Sequence, residues 1–146
     1  MSFLQSLNIS GSGLTAQRLR MDVISENIAN IDTTRTENGE PYRRKMVVLS
    51  SIDSNSFKDM MVKNLNDYEI TRGVEVSDIL EDQSEFKLVY NPEHPDADEN
   101  GYVSMPNVDS LKETVDMMEA YRAYQANVTA LNTTKQMAVK ALEIGR

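Results

Sequence analysis

The sequence predicts a mainly α-helical protein in which long N- and C-terminal helices pack as a coiled-coil-like pair, with a small β-rich module inserted between them. Three observations support this fold class. Apolar residues recur about every 3.5 positions through residues 107–146, and the same period recurs through residues 4–31, which is typical of helices that pack along other helices. The net charge of −8 lies wholly in residues 32–106, which hold sixteen acidic and eight basic residues, whereas both ends are neutral.

The C-terminal segment contains two neighbouring rows of residues spaced alternately by three and four positions, here called seams. It contains no Pro or Gly between Asn107 and Ile144. The first seam comprises Met117, Tyr121, Tyr124, Val128, Leu131, Lys135, Ala138 and Leu142, and the second comprises Ala120, Ala123, Asn127, Ala130, Thr134, Met137, Ala141 and Ile144. At 1.5 Å per residue this helix would be roughly 57 Å long, whereas a compact chain of this size has a radius of gyration of about 15 Å. We therefore expect it to need a long partner helix.

The N-terminal segment supplies a second helix over residues 4–31. Its seam comprises Leu7, Leu14, Met21 and Ile28, followed three positions later by Ser10, Gln17, Ile24 and Ile31. Two glycines at positions 11 and 13 each cost about 1 kcal/mol of helix propensity, so we expect either a kink or a close approach of a neighbour there. The same residues match a loose dinucleotide-binding pattern, but no strand precedes them, and we expect no cofactor.

The middle of the chain is expected to form a β-rich module of two to four strands. The pattern predicts one strand over residues 42–49 and an antiparallel pair formed by residues 73–82 and 85–90. The basic run Arg43-Arg44-Lys45 is interpreted as a solvated strand end, with contact to an acidic protein surface as the alternative. Residues 50–71 show no clean period and fit a loop, an extended arm or a short helix. The predicted domains are residues 1–31 plus 107–146, and residues 32–106 with an irregular segment at 50–72.

Several classes of function are excluded by composition and motif. The chain has no Cys, and its only His, His94, lies between two prolines, so no thiolate site, catalytic triad or histidine cluster can be assembled. An acidic chain lacks the basic surface that nucleic-acid binding needs, and no run of about 18 apolar residues predicts membrane insertion. Residues 96–101 match the start of a calcium loop, but its twelfth position is Asn107 rather than Glu, so we expect a turn. We predict no enzyme, metal or cofactor.

The two seams leave the state of assembly open. Seams wider than one partner can cover would favour heterologous contacts between copies, which generate open helical filaments. The alternatives are an antiparallel hairpin that buries both seams internally and a homodimeric coiled coil. An N-terminus without a basic and an apolar region predicts no cleavable secretory signal.

Three stretches of the sequence resemble a known family. They run over residues 25–33, which contain an N-x-A-N pattern followed by Thr, over residues 89–92 and 97–109, and over residues 122–133 with a continuation to 142. Together they resemble the bacterial flagellar basal-body rod proteins, and among these most closely the proximal-rod subunits. The resemblance covers residues 1–49 and 73–146, and its most specific part is the segment G-Y-V-S-M-P-N-V-D.

This resemblance implies a structural rod subunit that assembles by helix–helix packing into a helical tube and transmits torque. It implies copies of the chain, other rod subunits, the junction protein at the rod base and the flagellar type III export apparatus as partners. It also implies a location in the part of the rod that spans the periplasm, after export without signal cleavage. The competing function is a soluble coiled-coil adaptor or dimer with an acidic β module.

The resemblance also implies roles for individual residues. It would place Tyr124 and Asn127 in the axial interface. Together with the residues of the periodic seams, the expected assembly interface comprises Leu7, Leu14, Met21, Ile24, Ile28, Ile31, Met117, Tyr121, Tyr124, Asn127, Val128, Leu131, Ala138 and Leu142. The family motif positions are Asn27, Ala29, Asn30, Thr33, Gly101, Tyr102, Pro106 and Asn107, of which the first four would close the first helix.

Overall fold

The computed structural model describes residues 3–52 and 73–144, with one long helix at each end and four strands between them. The elements are α1 (Phe3–Ala29), β1 (Lys45–Ser51), β2 (Val74–Glu81), β3 (Lys87–Tyr90), β4 (Tyr102–Met105) and α2 (Ser110–Ile144). The prediction of two long terminal helices with a small β module between them is confirmed. Residues 53–72 of the segment that the sequence left open lie outside the described residues.

The strands form two separate two-stranded sheets, β1 with β2 and β3 with β4. The predicted pairing of residues 73–82 with residues 85–90 is therefore wrong. Instead β3 runs antiparallel to β4, with Lys87 opposite Met105. The N–H of Asp82 donates to the carbonyl of Arg44 at 2.8 Å, so the end of β2 stays paired with the start of β1 and does not fold back onto β3.

The described residues fall into two compact units. The first contains the described parts of Met1–Arg18, Val48–Ser77 and Tyr121–Arg146, and the second contains Leu19–Val47 and Asp78–Ala120. The division into a terminal helical domain and an outer module of residues 32–106 stays a prediction. The apolar core of the second unit comprises Val23, Ile24, Tyr42, Val103, Val108 and Ala120.

The Gly-Ser-Gly segment of α1 is a place of close approach in the first unit. The helix continues through it without interruption from Phe3 to Ala29. A Cβ on Gly13 would lie 3.1 Å from both side-chain heteroatoms of Asn127 on α2, and a Cβ on Gly73 would overlap the hydroxyl of Ser12. That hydroxyl accepts the N–H of Val74 at 3.1 Å. Of the two sequence-based alternatives, the structure shows the close approach of neighbours.

The helix ends are capped by local polar side chains. At the C-terminal end of α1, Asn30 donates its side-chain amide to the carbonyl of Glu26 at 2.9 Å, and its oxygen accepts the hydroxyl of Thr33 at 3.2 Å. At the start of α2, the carboxylate of Asp109 accepts the N–H of Leu111 at 3.0 Å, which makes Asp109 the N-cap. The N–H of Leu111 is one of the groups that the start of a helix leaves without an intrahelical partner. The carbonyl of Glu26 also accepts the backbone N–H of Asn30 at 3.1 Å.

Candidate functional site

A buried polar cluster, here called the helix junction, joins the end of α1, the start of β1 and the start of α2. It comprises Asn27, Tyr42, Arg44, Glu113 and Asp116. Asn27 is 0 % exposed, and its side chain makes four hydrogen bonds. It donates to the carbonyl of Lys45 and to Glu113 Oε2, both at 2.9 Å, and it accepts the Tyr42 hydroxyl at 3.0 Å and the Lys45 N–H at 2.9 Å. A carboxamide has two N–H donors and two acceptor sites, so the buried amide is fully satisfied.

The charges of the helix junction compensate one another. Glu113 is 0 % exposed, and its Oε1 lies 2.6 Å from Arg44 Nε. The same guanidinium reaches Asp116 through Nη2 at 3.0 Å, and Asp116 also lies 3.7 Å from Arg20. An ion that is removed from water needs a partner of opposite charge and well-formed hydrogen bonds, and Glu113 has both.

The hydroxyl of Tyr42 is held in its neutral form by this environment. Burial raises the pKa of Tyr42 well above its ordinary value, and the nearby carboxylates of Glu26, Glu113 and Glu81 raise it further. The protonated hydroxyl is the form that donates to Asn27. Because deprotonation would remove this donor, the pKa shift and the hydrogen bond favour the same state.

The basic run of residues 43–45 is not a solvated strand end as predicted, because Arg44 is buried in the helix junction. Arg43 stacks its guanidinium 4.3 Å from the centre of the Phe86 ring, and Lys45 pairs with Glu26 at 2.5 Å. All three basic side chains therefore have partners within the chain. Local sequence spacing could not reveal the partner of Arg44, because Glu113 follows it by 69 residues.

Asn107 connects three segments next to the helix junction. Its side-chain oxygen accepts the N–H of Arg44 at 2.8 Å, and its amide donates to the carbonyl of Asp82 and to the hydroxyl of Ser84, both at 2.9 Å. The backbone N–H of Ser84 bonds the carboxylate of Asp82 and lowers its pKa. Asn107 is thus a bridge between the start of β1 and the end of β2.

The predicted interface residues differ in how far the single chain covers them. Ile24 is buried, and the following residues are half-buried: Leu7, Leu14, Met21, Ile28, Ile31, Met117, Tyr124, Asn127, Val128, Leu131 and Ala138. Tyr121 is 53 % exposed and Leu142 is 76 % exposed. The chain therefore covers the strip between the two α2 seams and leaves residues at their outer edges in solvent.

The two helices contact each other with opposite directions in the second unit. Arg20 lies 3.7 Å from Asp116, and Asn27 lies 2.9 Å from Glu113, so residue numbers rise along α1 and fall along α2. On the face of α2 opposite this contact, Leu111, Val115 and Met118 are exposed and spaced by four and three residues. The helix consequently presents a second apolar stripe that α1 does not cover.

The remaining motif positions lie at the end of α1, at the turn of the β3–β4 hairpin and directly after β4. Pro106 is fully buried, Ala29 is exposed at the end of α1, and Gly101 has a φ of 80°, which favours glycine. The carboxylate of Asp98 accepts the N–H groups of Asn100 and Tyr102, as expected for a turn.

Among the described residues, no group of three or more His, Cys, Asp or Glu side chains is arranged to hold a metal ion.

Comparisons with known proteins assign the chain to a family. A family model described as "Flagella basal body rod protein" matches residues 7–35, and one described as "Flagellar basal body rod FlgEFG protein C-terminal" matches residues 99–144. The chain is 54 % identical to the flagellar basal-body rod protein FlgC of Bacillus subtilis, over 100 % of both chains. It is 46 % identical to FlgC of Borreliella burgdorferi, over 99 % of this chain and 98 % of that one. It is 34 % identical to FlgC of Aquifex aeolicus, over 98 % and 97 % of the two chains.

The resemblance noted from three stretches of sequence thus extends over the whole chain. The comparisons give no support to the alternative of a soluble coiled-coil adaptor. Within the described residues, neither helix is long and apolar enough to cross a membrane. The chain belongs to the FlgC family of flagellar basal-body rod proteins and is a structural subunit rather than an enzyme.

Proposed function

We propose that the chain assembles into the rod through its two terminal helices, which pack as a coiled-coil-like pair and then against neighbouring subunits to form a helical tube. The observation that carries this proposal is the uncovered end of the α2 seam. Leu131 and Ala138 are half-buried, whereas Leu142, the next residue of the same seam, is 76 % exposed. A helix that is apolar beyond the reach of its own chain is normally covered by another molecule.

Apolar character extends around most of the end of α2. Met137, Val139 and Leu142 are all exposed. Because successive residues of a helix point about 100° apart, Val139 and Leu142 share one face, whereas Met137 points to another side of the helix, about 140° from Leu142. The charged pair Lys140 and Glu143 occupies the remaining face, with a distance of 2.7 Å between Nζ and Oε2. One partner helix cannot cover so wide a surface, and contact with more than one neighbour follows.

In the proposed domain arrangement, the terminal helices, residues 1–31 and 107–146, lie along the axis of the rod. Residues 32–106 form an outer module. The helix junction supports this arrangement, because the start of β1 is bonded to α1 through Asn27 and to α2 through the charge-assisted bond between Arg44 and Glu113. Torque transmitted through such a tube would rely on close packing of side chains and on the rigidity of these connections. The proposed partners are other copies, other rod subunits, the junction protein at the rod base and the type III export apparatus.

The proposal is tested by the variant Leu142→Asp in a flagellated strain that lacks its own copy of the gene. Because Leu142 is mostly exposed, we expect the purified variant to keep the stability of the wild-type chain. We expect its incorporation into isolated basal bodies, and the motility of the cells, to be lost, because a carboxylate in an apolar contact is strongly unfavourable.

The matched control is Gln136→Glu, which adds the same negative charge at an exposed position of α2 on the face of Lys140 and Glu143. This variant should be incorporated like the wild-type chain. Normal incorporation of Leu142→Asp would contradict the proposed axial interface. Loss of incorporation in both variants would show that added charge, and not the apolar seam, is responsible.

A further inference from the structure

The outer face of the β3–β4 hairpin carries an exposed apolar cluster, here called the hairpin patch. It consists of Leu88, Tyr90 and Tyr102, whose exposed fractions are 69 %, 64 % and 45 %. Tyr90 is paired with Tyr102 across the hairpin, and Leu88 precedes Tyr90 by two residues, so the three side chains share one face. Val103, which points to the opposite face, is 2 % exposed and belongs to the core.

The hairpin patch is held in one conformation by several contacts. The rings of Tyr90 and Tyr102 meet edge to face, with centroids 5.3 Å apart. At the adjacent turn, a Cβ on Gly101 would lie 3.0 Å from the Tyr90 ring and 3.2 Å from Pro92, so this backbone packs directly against both side chains. Rigid aromatic side chains bind at a low cost in conformational entropy and are frequent in protein interfaces.

The hairpin and the segment that connects its strands carry a net negative charge, and Arg43 stacks on Phe86 at the end of the hairpin away from that segment. Residues 84–106 contain five acidic side chains and one basic side chain, a net charge of −4 if the histidine is neutral. The single basic residue, Lys87, lies on the other face of the hairpin and donates to the carbonyl of Val108 at 2.6 Å. Next to Tyr102 a shallow groove of about 410 Å³ is lined by Pro41, Pro95 and other residues. Arg35, which also lines this groove, is paired with Asp96 at 3.8 Å. The second carboxylate of the lining, Asp98, keeps the net charge of the groove negative.

We propose that the hairpin patch binds a second protein, different from this chain, through a surface with an apolar centre and a rim of Lys or Arg. An exposed apolar cluster of this kind on a folded chain marks a protein–protein contact, and its acidic rim selects a partner of opposite charge. Another copy of the chain offers neutral terminal helices and an acidic middle, with eight basic against sixteen acidic residues in 32–106. The inference therefore concerns a contact beyond the axial assembly proposed above.

The inference is tested by photo-crosslinking in flagellated cells that produce the full chain with p-benzoylphenylalanine in place of Tyr90. We expect an adduct with a different protein, and we expect the crosslinked peptide identified by mass spectrometry to contain apolar and basic residues. In the background of Glu93→Lys with Glu99→Lys, the yield should fall about tenfold or more, because both substitutions reverse a charge in the segment that connects β3 and β4. The matched control Glu75→Lys, at an exposed position of β2, should leave the yield unchanged.

Three results would overturn the inference: adducts only between copies of this chain, no adduct, or a yield that does not respond to the charge reversals. Amide hydrogen exchange of β3 and β4 in each purified variant verifies that the hairpin is still folded. The axial proposal is tested separately by incorporation of Leu142→Asp, in which the hairpin patch is intact. If the variant Glu93→Lys with Glu99→Lys is incorporated into the rod but loses the crosslinked adduct, the contact of the hairpin patch is distinct from the axial contact.

Discussion

Asn27 and Glu113 are 86 positions apart in the sequence, yet their side chains are joined by a hydrogen bond of 2.9 Å, and neither is exposed to solvent. The bond links the last turns of α1 to the first turn of α2. The same amide bonds both backbone groups of Lys45 at the start of β1. One side chain thus joins three segments of the second unit.

The first prediction concerns the charge balance of this junction. Asn27→Asp keeps the size of the side chain but replaces the amide donor with a second carboxylate next to Glu113. We expect a loss of about 3–5 kcal/mol in the free energy of unfolding, because the new charge is buried without a partner and repels the existing one. Urea denaturation of the purified chain, followed by circular dichroism, measures this loss.

The control for this experiment is Asn8→Asp, which makes the same chemical change at an exposed position of the same helix. Its free energy of unfolding should stay within about 0.5 kcal/mol of the wild-type value. If both variants are equally stable, the buried bond between Asn27 and Glu113 contributes nothing specific, and the structural importance assigned to the helix junction is refuted.

The sequence predicted the elements of this fold better than their contacts. Both long helices follow from a periodic pattern that local spacing alone reveals. The helix junction was missed because an isolated Asn in α1 and an isolated Glu in α2 each fit a solvent-exposed helical position equally well. Only the folded chain brings Glu113 to Arg44. The strand pairing failed for a similar reason, since nearest neighbours in sequence are the default expectation and β3 instead pairs across a connection of eleven residues, 91–101.

The resemblance to rod proteins identified positions that the periodic pattern could not. Asn27 and Asn107 belong to no apolar seam, but both are polar bridges in the structure. Tyr102 was selected in the same way, and it forms part of the exposed hairpin patch. The seams, in contrast, were predicted from spacing alone, and the structure shows that spacing cannot distinguish a covered residue such as Leu131 from an exposed one such as Leu142.

The second prediction concerns stability in alkaline solution. The pKa of Tyr42 is raised in the folded chain, whereas in the unfolded chain it returns to its ordinary value of 10.0. The contribution of Tyr42 to the free energy of unfolding is therefore fully present below pH 10. It is lost as the pH rises from 10 toward the folded pKa, because only the unfolded chain then releases the proton. Above pH 10 we expect this group to lower the free energy of unfolding by up to about 1.4 kcal/mol per pH unit.

The matched variant is Tyr42→Phe, which removes the titrating group and one hydrogen bond to Asn27. At pH 7 it should be less stable than the wild-type chain by about 1 kcal/mol. Other titrating groups are common to both proteins, so the difference between the two curves isolates Tyr42. This difference should shrink above pH 10 and vanish near pH 11. A difference that stays constant from pH 7 to pH 11 would show that Tyr42 ionises equally readily in the folded and unfolded chains.

The third prediction uses the two helical glycines of α1 as an internal comparison. Nothing lies within 4 Å of a Cβ built on Gly11, whereas a Cβ on Gly13 would lie 3.1 Å from the side chain of Asn127. Gly11→Ala should therefore raise the free energy of unfolding by about 1 kcal/mol, the difference in helix propensity. Gly13→Ala should raise the free energy of unfolding by less than this or lower it. The new Cβ would displace the side chain of Asn127, whose amide donates to the carbonyl of Ala123 at 3.0 Å.

The variant Asn127→Ala separates the steric effect from helix propensity. Combined with Gly13→Ala it removes the side chain that the new Cβ would meet, so the double variant should recover the gain of about 1 kcal/mol relative to Asn127→Ala alone. Thermal or urea unfolding of the wild-type chain, the two single variants and the double variant completes this double-mutant cycle. Equal gains for Gly11→Ala and Gly13→Ala in the wild-type background would mean that α2 does not approach α1 at Gly13, and that the glycine serves no close contact within the single chain.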